Sequence, residues 1–378
     1  MSKVELYDKR LAMIKATTNH QKTDYVPVIS MAQTWAMDYA GEDCTTTFTS
    51  QEHEFDVYAK HLLDMNFDGT MLFGMNRPLA LYESLGNSAW FFSKDKISIQ
   101  NLDNMILPEN EIDEYIENPL RFLRNKGLYR RYPKLREEFP NNLQALGNGL
   151  QMMMAFGAKN QAIPEYLREK VGAPILAGDL MEPALDRYIG YRTFAEGMSD
   201  LRRRPDKVLQ ALEATYMLTG PAPGPKEDYP YAFFPVVTAT YLSPKMFYKF
   251  FWPTAKRAME GIISNGGKVM IALEGKWEHV YECLNELPAH SVIAVLEDDD
   301  MIAAKRVIGD KVTLCGGMKV QMLRDGTKQE CIDYTKHILD ECGHEGIMIT
   351  QSQGLLSPGD VNPDNMKAVV EFVHEYTC

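Results

Sequence analysis

Residues 241–275 read YLSPKMFYKFFWPTAKRAMEGIISNGGKVMIALEG, an aromatic helix joined to a buried strand that ends on a carboxylate, Glu274. An α/β barrel presents its chemistry in this way, from side chains at the carboxyl ends of its strands. The functional residues are therefore expected at strand ends.

Outward from this stretch, apolar β-rich runs alternate with helical patterns, which argues for parallel strands with helical crossovers. The candidate strands are 26–31, 70–74, 174–178, 233–238, 269–273, 292–296, 312–315 and 347–350. Eight strands are the count of a closed (β/α)8 TIM barrel, an α/β fold. The last four are the clearest, because helical patterns follow them at 277–287, 301–308, 328–341 and 365–376. Gly275, Gly309 and Gly343 stand at the breaks where the chain must turn.

The first half is less regular. An excursion over about 87–164 separates the second and third strands and is too long for a plain crossover. Within it, 89–100 reads as a small β element, and 109–138 and 141–169 read as helices lying over one end of the barrel. Residues 181–214 are also helical. No repeat, low-complexity linker or composition break divides the chain, so a single domain over 1–378 is expected; the Pro/Gly-rich stretch 217–229 reads as a loop at one end of the barrel.

With 378 residues, 45% hydrophobic and 24% charged, the chain can bury a sizeable core. Its net charge is −12, and its basic runs are as short as Arg130-Arg131 and Arg202-Arg203-Arg204, which excludes nucleic acid as the expected partner. The start, MSKVELYDKRLAMIK, carries charges throughout and lacks the apolar core of a signal peptide, and no run of apolar residues is long enough for a membrane span. A cytoplasmic protein with no membrane partner is expected. The 6 cysteines form no C-x-x-C pair, so reduced thiols are the expected state. The 22 methionines supply soft surface that suits either a core or a pocket for a flat organic ligand. No G-x-S-x-G, P-loop or G-x-G-x-x-G motif follows a strand, which argues against a hydrolase, a nucleotide-triphosphate enzyme and a dinucleotide dehydrogenase.

The strand ends supply the pocket candidates. Met31, Gln33, Trp35 and Met37 lie at or after the first strand, Met75 and Asn76 after the second, Asp179 and Met181 after the third, and Thr240 and Tyr241 after the fourth. This aromatic and thioether lining, with a few polar groups, suits a flat organic ligand. Asp179 can orient a substrate hydroxyl or cap a helix. Tyr241 can donate a proton from its hydroxyl or fill the barrel rim. For each apolar member the alternative is ordinary core packing. The histidines at 20, 53, 61, 290, 337, 344 and 374 fall on helices or turns and read as surface or structural.

The order of several short signals resembles a known family. These are Gly178-Asp179-Leu180-Met181, Arg204-Pro205-Asp206, Leu242-Ser243-Pro244, Trp252-Pro253, the strand ending at Gly275, the run from Gly309-Asp310 to Cys315-Gly316-Gly317, and Asn362-Pro363-Asp364-Asn365-Met366. Together they resemble the uroporphyrinogen decarboxylase superfamily, most strongly after residue 170. Porphyrinogen decarboxylases carry an arginine-bearing motif near the first strand, whereas residues 26–41, VPVISMAQTWAMDYAG, contain no arginine or lysine. A substrate with many carboxylates finds no partner there.

The resemblance therefore points to the corrinoid-dependent methyltransferase branch, the methyltransferase component of O-demethylases. It implies demethylation of a small methylated substrate, with an aryl methyl ether the best match to the lining, and a corrinoid-binding protein whose Co(I) receives the methyl group. Zinc-binding members carry His-x-Cys at the fifth strand and a later Cys after the eighth. This chain has Ala272-Leu273-Glu274 and Gln353 at those places, harder oxygen donors in place of thiolates. A zinc site rebuilt from Glu274, Glu297 and His279 is one possibility, and loss of the metal is the other. Ether-cleaving members use two glutamates and a later histidine; Glu282 and Glu297 have the glutamate spacing, but Met318 stands where the histidine would. Acidic residues 297–300 also suit a helix N-terminus. The expected catalytic residues are Glu274, Tyr241 and Asp179, with Met31, Gln33, Trp35, Met75, Asn76, Met181 and Gln353 binding substrate. Two other readings stay open: a decarboxylase of a small carboxylated substrate, with Arg77 and Lys319 as its cations, and a non-catalytic ligand-binding barrel.

Overall fold

The structure, a computed structural model, describes residues 1–75, 77–87, 89–218 and 231–376. Eight parallel strands form one sheet: β1 (Val28–Ser30), β2 (Gly69–Thr70), β5 (Ala177–Leu180), β6 (Tyr231–Val236), β7 (Lys268–Leu273), β8 (Val292–Leu296), β9 (Thr313–Met318) and β10 (Ile347–Gln351). Between β2 and β5 lies an antiparallel hairpin of β3 (Trp90–Phe92) and β4 (Ile99–Asn101). The order across the large sheet is β2-β1-β10-β9-β8-β7-β6-β5. Its two edges meet through a bridge from Thr70 to Ile175, with Thr70 N–H donating to Pro174 O at 2.9 Å and Leu176 N–H to Thr70 O at 2.9 Å. The sheet is thus curled onto itself as a TIM-barrel-like α/β fold. Gly69 permits this closure, because a Cβ there would lie 2.9 Å from Leu176 Cδ1 and 3.1 Å from Pro174 O.

Every candidate strand of the sequence falls on one of these eight. The runs are continuous and apolar because parallel strands are covered on both faces: β7 and β8 are buried along almost their whole lengths. Their inward residues fill the barrel, where Ile29, Met71, Phe233, Met270, Ile293 and Met348 pack in one cluster. Three of the methionines are therefore the floor of the barrel, the core alternative left open by composition. The amino end is plugged by the Lys3–Thr18 helix. Its Ile14 joins the interior cluster, and its Thr18 accepts from Lys268 Nζ and Tyr231 Oη, both at strand starts. The open end is the carboxyl end.

Helices Met301–Ile308, Lys328–Cys342 and Pro363–Glu375 follow the last three strands as expected. The exception is 277–287, where a 3₁₀ turn at Tyr281–Glu286 replaces a full helix. Trp277 N–H and Glu278 N–H are claimed by the Asp299 carboxylate, and Trp277 is buried edge-on against Phe247 and Phe251, so the segment is held down before a helix can start. Between β4 and β5 the chain makes short helical pieces and one long helix, Asn141–Tyr166. Residues 184–216 make three helices, Ala184–Arg192, Phe194–Arg203 and Pro205–Tyr216. Cys44, Cys283, Cys315, Cys331 and Cys342 are all free and buried. Among the described residues, no helix is long and apolar enough to cross a membrane.

Candidate active site at the carboxyl end of the barrel

β7 and β8 pair in register through Leu273↔Leu296. Ala272 and Val295 face inward, so the next inward positions, one residue beyond the last pair, are Glu274 and Glu297. Side chains there leave adjacent strands about 5 Å apart and share one side of the mouth. The two glutamates then differ in what holds them. Glu297 Oε2 accepts the Gly275 N–H at 2.5 Å. Glu274 has no hydrogen-bond or ion-pair partner among the described residues. Burial, and then the neighbouring Glu297 charge, push the Glu274 carboxyl above its ordinary pKa. One carboxylate is anchored and its neighbour holds a proton more readily than an ordinary glutamate, the kind of division that separates acid from base in paired carboxylate sites.

The turn after β7 is built to present this pair. Gly275 has φ +72°, and a Cβ there would sit 2.6 Å from Thr240 Oγ1. Only glycine allows that approach. Thr240 Oγ1 also accepts the Lys276 N–H at 3.1 Å, which ties the turn to the end of β6. Asp299 accepts Trp277 N–H at 2.9 Å, and Asp300 caps Met301–Ile308 by accepting from Ile302 and Ala303. The acidic run 297–300 thus has separate tasks: Asp300 is the helix cap, while Glu297 and Asp299 latch the neighbouring turn.

Across the mouth, β1 lies four strands from β7 in either direction around the closed sheet. Met31 caps the inner cluster there and is half-buried. Its N–H donates to Gln351 Oε1 at 2.7 Å. Gln351 is completely buried, and its amide nitrogen lies 3.3 Å from the Met366 sulfur. Gln33 sits against Gly354, and Gln353 beside it is exposed. Met31, Gln33 and Gln353 therefore meet on one side of the mouth, opposite Glu274 and Glu297. Gln351 escaped the sequence reading, which chose Gln353 two residues later; the signal available was a polar residue directly after the apolar run IMIT.

Other candidates lie elsewhere. Trp35 is 1% exposed and stacks on Tyr39 at 5.2 Å, and Met75 is 2% exposed, so both are core instead of pocket wall. Both follow short strands whose ends dive under the surrounding helices. Met37 is buried likewise. An extra residue between Ala177 and Leu180 shifts the register, so Leu180 and not Asp179 is paired with Phe233. Asp179 is half-buried in that irregular stretch, and Met181 is half-buried with its N–H donating to Phe233 O at 2.7 Å. Tyr241 is 61% exposed and meets Phe194 edge-on, lining a rim groove of about 370 Å³ with Met198, Ser199, Arg202, Arg203 and Met246. It stands on the rim, one residue beyond the Thr240 that packs on the Gly275 turn. Asn76 lies outside the described residues, as does most of the 217–229 loop.

The proposed zinc ligands do not assemble. His279 is exposed and its Nε2 is bonded to Leu242 O at 2.9 Å, and Glu282 is exposed on the Tyr281–Glu286 turn. No group of three His, Cys, Asp or Glu residues placed to hold a metal ion occurs among the described residues. This arrangement does not fit zinc. His61 is fully buried, 2.8 Å from Ser30 Oγ, and burial lowers its pKa to about 3, a structural role as expected.

A curled parallel barrel with paired carboxylates at its carboxyl mouth defines the class of protein: an α/β-barrel enzyme. Residues 232–376 match the family model of uroporphyrinogen decarboxylase (URO-D). Among solved structures, a methyltransferase from Methanosarcina mazei matches with a TM-score of 0.64 and 16% identity, covering 97% of this chain and 98% of that one. A B12-independent methionine synthase from Shewanella sp. W3-18-1 in complex with selenomethionine matches with a TM-score of 0.45 and 11% identity, over 93% and 98%. No curated protein matches significantly. Over residues 232–376, and not over the chain as a whole, the sequence is thus similar to the uroporphyrinogen decarboxylase family.

Proposed function

We propose that the protein is a methyltransferase that demethylates a small methylated substrate, an aryl methyl ether, and passes the methyl group to Co(I) of a separate corrinoid-binding protein. The observation that carries this reading is Glu274, a carboxyl held toward its protonated form at the mouth of an apolar barrel. Ether cleavage is limited by its leaving group, and a positioned acid answers that need. As the methyl carbon leaves the ether oxygen for the acceptor, the carbon–oxygen electron pair stays on oxygen, and the Glu274 proton passes to it. Glu297, fixed by Gly275 N–H, keeps the Glu274 proton in place until then. Met31 opposite offers soft surface for the ring. No step is assigned to zinc.

A decarboxylase of a carboxylated substrate is less well supported. Its two candidate cations are engaged with rings, the Arg77 guanidinium 3.7 Å from the Trp90 centroid and Lys319 Nζ 4.9 Å from that of Tyr334. The two carboxyl groups at the mouth, with no ion pair to a cation among the described residues, favour, as a second reading, a methylated cation such as a methylamine. The test is to mix the purified protein with reduced cob(I)alamin and a panel of methoxylated aromatics, methylamines and methyl thioethers, following loss of Co(I) absorbance. Turnover confined to aryl ethers is the expected result; turnover of methylamines alone favours the second reading. Silence across the panel with a matched corrinoid protein also supplied refutes both.

A further inference from the structure

The Asn141–Tyr166 helix is apolar on two faces, and the protein covers only one of them. Its inner face places Ala145 and Gly149 against Leu81 and Leu85, with Met152 beside them. Its outer face carries Leu143, Leu146, Leu150, Met153 and Met154, exposed by 59, 45, 55, 56 and 76%. At 100° per residue these five, with Gly147 and Gly157, fall on one stripe, and positions 143, 146, 150, 153 and 157 step by three and four residues, the spacing of a helix–helix seam. A helix apolar all round is normally buried all round.

We propose that this face is the interface between two copies of the chain, with the helices crossing about a two-fold axis near Leu150. Charge is the first argument. The chain carries −12, so two copies repel, yet no charged residue occurs from Asn141 to Ala158. This helix is a place where like chains meet without opposing charges, and it offers a charged partner nothing to recognise. Shape is the second. A Cβ added at Gly147 or Gly157 would meet nothing within 4 Å, so a facing helix can approach the backbone at both. Leu150 lies midway along the stripe, so a two-fold axis there sets Leu150 against its own symmetry mate and each end of the stripe, Leu143 and Gly157, against the opposite end of the other copy, as an isologous interface requires. Size is the third. The exposed side chains present on the order of 500 Å² per copy, at the upper end for a monomer, and a pair would bury about 1,000 Å², enough for a specific interface.

Light scattering on the full chain tests this directly. The wild type is expected at twice its 43.0 kDa chain mass. Leu150→Glu and Leu150→Lys are each expected at the single-chain mass, with unchanged circular dichroism and a cooperative melt, and an equimolar mixture of the two should return to double mass. Gln151→Glu, which adds charge off the seam, should leave the dimer intact. A monomeric wild type, or double mass in both Leu150 variants, overturns the proposal. Loss of corrinoid-protein or neutral-vesicle binding by Leu150 variants of a monomeric wild type would assign the face to that occupant instead.

Discussion

Asp186 offers a quantitative test of how the mouth is held. Its Oδ1 accepts Val237 N–H at 3.1 Å and Thr238 N–H at 3.0 Å, pinning the end of β6, while Oδ2 is buried without a partner. Burial of that carboxylate outweighs the two amide bonds and raises its pKa from 3.8 to about 7. A raised folded pKa means that the folded state holds its proton more tightly than the unfolded state. The stability is therefore full below pH 3.8 and is lost as pH rises through about 7. At about 1.4 kcal/mol per pH unit, the loss at pH 8 reaches roughly 4 kcal/mol, reduced by whatever water reaches the partly exposed residue. Asp186→Asn keeps an oxygen for the two amides and removes the charge, and its new N–H₂ can serve Thr238 Oγ1, itself unpartnered. Urea titrations should show the variant more stable than wild type by about 2–4 kcal/mol at pH 8, by only about 1–2 kcal/mol at pH 5 and nearly equal to it below pH 4, with melting shifts at pH 8 of about 3–5 °C for a chain of this size. An equal difference at both pH values, or a less stable variant at pH 8, would refute the charge-burial argument.

Three further outcomes are expected. Glu274→Gln should lower methyl transfer from an aryl ether by about 10²–10⁴-fold with little change in KM, and the wild-type rate should fall as pH rises through the raised Glu274 pKa, a limb that the variant lacks. Gly275→Ala, forced into φ +72° and against Thr240, should cost roughly 2 kcal/mol or more by denaturation and should impair turnover beyond its effect on folding, since the Glu297 anchor moves with the turn. Asp200→Asn strands the buried Arg192, now paired at 2.7 Å, and should cost about 3–5 kcal/mol in urea; Arg192→Met combined with it should recover part of that loss.

The sequence by itself determined the barrel. Eight short apolar runs, broken by glycines and separated by helical periodicity, have few ways to bury both faces, and each run lies on a strand of the closed sheet. It also determined that a carboxylate ends β7, because the step of two along VMIALE sends Glu274 the same way as Ala272. Which neighbours that carboxylate has was decided by tertiary structure alone. The register of β7 with β8 sets Glu274 beside Glu297, and the left-handed Gly275 turn anchors Glu297 and leaves Glu274 without a hydrogen bond among the described residues. Register is a contact between residues far apart in the chain, so no local pattern encodes it. The same reason explains the candidates that moved. Trp35 and Met75 follow their strands in sequence but turn into the helical layer, the irregularity in β5 takes Asp179 out of phase, and His279 is drawn to the Leu242 carbonyl, away from the glutamates. Gln351 became important only because the first strand pairs with the last, which sets the end of β1 against the end of β10 and gives the buried amide the Met31 N–H to bind.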